Sequence, residues 1–120
     1  LRERIAAAEA AGIARERIVA DPGIGFAKSF EHNVALLARQ ESLAKLGVPL
    51  LVGWSRKSTL ARLAGVGTAA PGRSDAERAR VVAASVAAAV LAVERGARVV
   101  RVHDVAATVA ALAVWGAARR

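Results

Sequence analysis

The chain has 120 residues, 55% of them hydrophobic and only 3% aromatic, with no cysteine and no methionine. That suffices for one domain with a core of small aliphatic side chains, and it excludes a disulfide framework or a thiolate metal site. The formal charge of +8 comes largely from arginines spread along helical faces, such as Arg2, Arg15, Arg39, Arg62 and Arg78. No dense basic block and no interleaved aromatics are present to stack bases, which argues against a nucleic-acid partner.

The opening LRERIAAAEA alternates charge and alanine as an amphipathic helix does, unlike a signal peptide. Without methionine, and opening on Leu1 inside a helical pattern, the chain is expected to be a piece of a longer protein. Gly12 stops this helix where a left-handed cap belongs, and residues 18–20 form the first expected strand. A polar cluster, DPGIGFAKS, leads into a helix over about residues 30–46, stopped by Gly47. Residues 49–53 form the second strand, followed by the cluster WSRK and a short helix over 58–63. GVGTAAPGRSD reads as a loop, with Ser74 or Asp75 capping a helix over 75–95. Gly96 stops that helix, residues 98–102 form the third strand, and a last helix spans 105–118. The longest apolar run, from Val81 to Val93, falls short of the ~20 residues needed to span a bilayer. A soluble, cytoplasmic protein with no membrane partner is the expectation.

The strands are continuous apolar runs, as in a parallel sheet covered on both faces. The α/β alternation predicts an α/β fold, either doubly wound or a (β/α)8 barrel. In both architectures catalytic groups gather at the carboxyl ends of the strands. All the polar clusters fall there.

In the first cluster Asp21 ends the strand, Pro22 and Gly23 turn the chain, and Gly25 precedes Phe26 and Lys28. A carboxylate there can accept two parallel hydrogen bonds from a flat N–H/NH2 edge such as an aminopyrimidinone. Phe26 could pack on a ring. The competing reading of Asp21 is a cap in a DPG turn. In the second cluster Gly53 admits a ligand to the backbone, and Ser55, Arg56, Lys57 and Ser58 lead into the helix. These cations beside a helix start suit anions or electron-rich carbonyl and ring-nitrogen atoms. A serine-capped helix with solvated cations competes with that reading. In the third, Arg101 and His103 are i and i+2, hence on one side of a strand. A guanidinium suits the paired oxygens of a diphosphate, although Arg101 could instead make an internal ion pair. Asp104 is expected to face away or to cap the next helix. No Ser lies in a G-x-S-x-G elbow, and His32, the only other histidine, follows a different strand. The set describes one acid for a flat heterocycle, several cations for an anionic leaving group and no evident nucleophile. That suits group transfer between two bound substrates.

DPGIGFAKSFEHNVALL, LLVGWSRKS and RGARVVRVHDV, in this order and spacing, resemble dihydropteroate synthase over essentially the whole chain. The resemblance implies a (β/α)8 TIM barrel of which residues 1–120 are a partial domain, the last three βα units, without the N-terminal strands. It implies condensation of a hydroxymethyl-dihydropterin diphosphate with 4-aminobenzoate, giving dihydropteroate and diphosphate in folate biosynthesis. Mg²⁺ is implied too, bound by an asparagine on a strand this chain does not contain. On matching positions, Asp21 becomes the pterin-edge acceptor and Lys57 its second polar contact. Phe26 and Ser58 lie by the aminobenzoate, Ser58 at its carboxylate, and Arg101 and His103 bind the diphosphate. Gly23, Gly25, Lys28, Gly53, Ser55 and Arg56 support them. Rate enhancement would come from positioning and charge stabilisation, with no covalent intermediate.

Two positions depart from the family pattern. Ala27 stands where a third glycine is usual, which predicts a stiffer loop. ERARVVAAS lacks the usual Gly-Thr or Gly-Ser pair, with Ser85 a partial match. The full-length protein is a candidate homodimer. The piece alone is expected to be inactive and aggregation-prone, because three strands cannot close a barrel. The alternatives are a methyltetrahydrofolate-dependent methyltransferase, which has no diphosphate to hold, a non-catalytic basic βα module binding nucleic acid or a partner, and a degenerate synthase paralogue.

Overall fold

Short apolar runs, each delivered by a glycine-stopped helix, lie side by side in a computed structural model that describes residues 1–67 and 72–119. Strand β1 (Leu51–Val52) pairs in parallel with β2 (Val99–Val100), Leu51 opposite Val99 and Val52 opposite Val100. On the other side of β1, Ala20 makes a single parallel bridge to Leu50. Its N–H donates to Pro49 O at 2.9 Å, and its carbonyl accepts Leu51 N–H at 2.9 Å. The first expected strand is thus reduced to one bridge, and the other two to their centres. The cause at Ala20 is local. Asp21 Oδ1 turns back to accept Gly23 N–H at 2.8 Å, and Pro22 has no N–H to extend a ladder.

The helices are α1 (Arg2–Ala10), α2 (Phe30–Ala38), α3 (Glu41–Ala44), α4 (Ser58–Leu63), α5 (Asp75–Glu94) and α6 (Val105–Ala117), with a 3-10 turn at Arg15–Arg17. Ser74 caps α5 through a reciprocal pair: its Oγ accepts Glu77 N–H at 3.2 Å, and Glu77 Oε2 accepts Ser74 N–H at 2.9 Å. The backbone and hydroxyl of Ser74 hold the Glu77 carboxyl below its ordinary pKa. Part of the expected loop before it, residues 68–71, lies outside the described residues.

The single helix expected over 30–46 is two. Gln40, only 1% exposed, turns inward and donates from Nε2 to Ala92 O at 2.7 Å. In return Arg95 Nη1 donates to Leu37 O at 2.8 Å. Each helix end supplies a side chain that donates to a last-turn carbonyl of the other, Ala92 O accepting the Ala97 N–H at 2.9 Å as well. The helix is interrupted where Gln40 turns inward, and resumes at Glu41.

Leu50, Val52 and Trp54, 1%, 1% and 2% exposed, alternate onto one face of the sheet and pack against Leu60, Ala88 and Ala92. Alanines on α5 let its backbone approach the sheet closely, and each fully buried Val or Leu contributes about 1.5–3 kcal/mol. The opposite face carries Val19 and Val99, 50% and 43% exposed. Among the described residues no helix is long and apolar enough to cross a membrane.

Candidate functional site

The loop after Ala20 needs unusual backbone. Gly23 and Gly25 take φ of +66° and +79°, and Ala27 takes +48°, a conformation that glycine adopts freely. Asn33, 2% exposed, pins this loop from beneath: Oδ1 accepts Gly25 N–H at 2.8 Å, and Nδ2 donates to Ser29 O at 2.9 Å. Lys28 Nζ closes it from within, donating to Gly23 O at 2.9 Å and Phe26 O at 3.1 Å. Sequence reasoning missed Asn33. Its signal was a polar residue between Phe30 and Leu37 at helical spacing, on the face that turns inward.

Lys57 reaches across from the β1 loop. Its Nζ donates to Ile24 O and lies 4.2 Å from the Phe26 ring centroid. A Cβ on Gly25 would come within 2.9 Å of Lys57 Cδ, so a side chain here would push Lys57 aside, and the φ of +79° itself favours glycine. Burial lowers the Lys57 pKa, and the Arg101 charge adds to the shift while Asp21 opposes it.

Arg101 folds across Gly53, where an added Cβ would lie 3.0 Å from Nη2. The same Nη2 is 3.5 Å from Asp21 Oδ2, with the two side chains 63% and 36% exposed. Asp21, Gly53 and Arg101 therefore form one row across the ends of three adjacent parallel segments. An exposed pair at that distance contributes about 0–1 kcal/mol, so either partner can exchange it for a ligand. The internal ion pair considered for Arg101 is present, and its partner is the candidate acid.

His103 is held by Ser55, which is 5% exposed. Ser55 Oγ accepts His103 N–H at 3.1 Å and lies 3.0 Å from Nδ1. With the oxygen accepting the amide, the hydroxyl hydrogen can go to Nδ1. Nε2 then carries the ring proton and is the donor left for a ligand.

Arg56 differs from its expected place among cations facing an anion. It forks onto Asp104, Nε to Oδ2 at 3.0 Å and Nη2 to Oδ1 at 2.5 Å. The Arg56 guanidinium holds the Asp104 carboxyl below the usual range. Asp104 stands at the N-cap of α6, without a side-chain cap bond. It ties the loop after β2 to the loop after β1. Arg56 itself sits at φ +59°, its N–H donating to Ser85 Oγ at 3.0 Å. Ser85, the partial match noted above, thus supports a strained turn.

The structure brings Asp21, Lys57 and Arg101 together, places Phe26 under Lys57, and sets His103 on Ser55. Ser58 opens α4 without capping it by its side chain and lines a half-open cavity shared with Gly25 and Lys28. Among the described residues no group of three His, Cys, Asp or Glu side chains is placed to hold a metal ion.

Parallel βα units with an acid and several cations at the strand ends define an α/β ligand-binding class in which chemistry is done by loops on a buried sheet. Within it, the family model described as pterin binding enzyme matches residues 1–103, and the chain belongs to that family. It is 49% identical to the dihydropteroate synthase of Neisseria meningitidis serogroup B over 120 residues, covering 98% of this chain and 39% of that protein. Among solved structures it is similar to Xanthomonas albilineans dihydropteroate synthase with 4-aminobenzoic acid, with a TM-score of 0.86 and 51% identity over 98% of this chain and 40% of that one. The same enzyme in complex with 7,8-dihydropteroate matches with a TM-score of 0.86 and 51% identity, covering 98% and 41% of the two chains. The chain thus spans about two fifths of the length of these proteins.

Proposed function

We propose that this chain is the C-terminal part of a dihydropteroate synthase, the last three βα units of a (β/α)8 barrel, with residues 1–120 a partial domain of it. The full-length protein would condense 6-hydroxymethyl-7,8-dihydropterin diphosphate with 4-aminobenzoate, in the cytoplasm and as a homodimer. The observation that carries this reading is the row of Asp21, Gly53 and Arg101 with Lys57 beside it. Complexes of the Xanthomonas albilineans enzyme with 4-aminobenzoic acid and with 7,8-dihydropteroate support the substrate assignment.

In this reading Asp21 gives up Arg101 and accepts two hydrogen bonds from the pterin edge, while the Lys57 ammonium meets the pterin's electron-rich atoms. Phe26 packs beside the aminobenzoate ring, and Ser58 meets its carboxylate. Arg101 and His103 Nε2 take the diphosphate. As the methylene C–O bond breaks, charge grows on the departing diphosphate and these donors stabilise it. The arylamine nitrogen forms the new C–N bond and loses one proton to solvent. Mg²⁺ belongs to the proposed reaction as an expectation of the family, held outside these residues.

The test is to express the full-length polypeptide and follow diphosphate release that requires both substrates. Release with both substrates and not with either alone is expected. Binding of methyltetrahydrofolate without turnover of the pterin diphosphate would overturn the reading in favour of a methyltransferase.

A further inference from the structure

We propose that Arg62 is a specificity-determining residue that recognises the carboxylate of the arylamine substrate, an assignment that rests on the function proposed above. Arg62 lines the half-open cavity of about 220 Å³ together with Lys28, Phe30, Ser58 and Thr59. That volume lies below the ~300 Å³ at which sites begin to enclose a drug-sized ligand. The cavity therefore takes one end of a small molecule and leaves the rest in the open site beside it.

The lining sets the charge of that end. Two cations line the cavity and no carboxylate does. The Arg62 guanidinium lies 4.0 Å from the Phe30 ring centroid, which fixes its plane. Among the described residues Arg62 makes no ion pair, so its fork of donors is open to a ligand. Glu31 is the acid that feels its charge, but that carboxylate is occupied first by its own backbone N–H and by Ser29. Thr59, 4% exposed, adds a hydroxyl to the lining. A planar fork that is already oriented matches a carboxylate with two parallel hydrogen bonds.

Position relative to the reacting centre follows from the chain. Ser58 and Arg62 are i and i+4, on one face of α4. Ser58 directly follows Lys57, whose ammonium lies over Phe26. An aromatic ring lying along Phe26 with its amine toward Arg101 and His103 presents its opposite end to Ser58 and Arg62. A para-carboxylate is the group that reaches them.

The experiment uses the full-length protein and its Arg62→Gln and Arg62→Lys variants, with 4-aminobenzoate and the neutral 4-aminobenzamide as acceptors. Arg62→Gln is expected to raise KM for 4-aminobenzoate about tenfold to hundredfold, the effect of losing charge-assisted hydrogen bonds. KM for the pterin diphosphate should not move, and the preference for the carboxylate over the amide should collapse. Arg62→Lys, which keeps the charge and loses the fork, should fall between. Unchanged KM and unchanged preference in Arg62→Gln overturn the assignment, as does an equal rise in both KM values, which marks a structural role for the contact with Phe30. A wild-type protein that makes no dihydropteroate fails before any variant is compared, and overturns the functional reading together with this one.

Discussion

The two ends of the small sheet use polar side chains in opposite ways. At the amino end, Gln40 and Arg95 are spent on backbone carbonyls at 2.7 and 2.8 Å, and they lock α2 and α5 together. At the carboxyl end, Arg101 and Asp21 meet at 3.5 Å with much of each side chain in solvent. The first arrangement commits its donors to the backbone, whereas the second can change partners at almost no cost. Side chains that donate to distant backbone hold the units in place, and loosely paired ones at the strand tips are free to bind.

The largest expected effect breaks the comparison if it lands on the wrong property. Arg101→Ala in the full-length protein should lower kcat/KM for synthesis by about 10²–10³, the range for removing one charge-stabilising donor. Its thermal midpoint should stay near that of the wild type. Gln40→Ala should do the reverse. It removes the side-chain link between α2 and α5, leaving Ala92 O with the Ala97 N–H alone, and should cost about 0.5–1.5 kcal/mol in denaturant melts, with kcat/KM intact while the protein is folded. A drop in stability for Arg101→Ala equal to that of Gln40→Ala would erase the distinction between the two ends.

Two smaller changes sharpen it. Ala27→Gly removes a side chain from φ +48° and should stabilise by up to about 1 kcal/mol, the left-handed penalty less the added freedom of the unfolded chain. Equal stability of the two proteins would mean that the loop bears no strain there. Asp104→Asn should have the smallest effect, and one that depends on pH. Arg56 lowers the folded pKa of Asp104, so its contribution is present above the unfolded aspartate value of about 3.9 and is lost as pH falls through the folded value. Thermal midpoints of wild type and variant should differ at neutral pH and converge in acid. A gap that persists below both values would assign the effect to something other than the ion pair.

Much of the architecture was legible because it rests on short-range rules. Glycine stops, apolar runs without alternation and a polar cap at Ser74 or Asp75 are decided within a few residues, and they placed α4, α5 and α6 to within one residue of their observed ends. The clusters at the strand tips were legible for the same reason. Asp21, Lys57, Arg101 and His103 each stand where an apolar run turns ionic. The loop supports were less so. Asn33 looked like one more helical residue, and its role appears only once Gly25 is folded over it.

The sequence by itself determined the order of elements, the parallel sheet and the end of that sheet on which the polar groups gather, since periodicity and turn chemistry are local. Only the tertiary structure decided which group meets which. Arg56 and Arg101 look alike as cations at the ends of strands, yet one is spent on Asp104, 48 residues away, and the other lies across Gly53 to Asp21. Likewise the helix whose local pattern was continuous is interrupted at Gln40, whose amide turns inward to a carbonyl 52 residues further on. Pairing of this kind depends on distances across the folded chain, and like charges offer the sequence no means of ranking them.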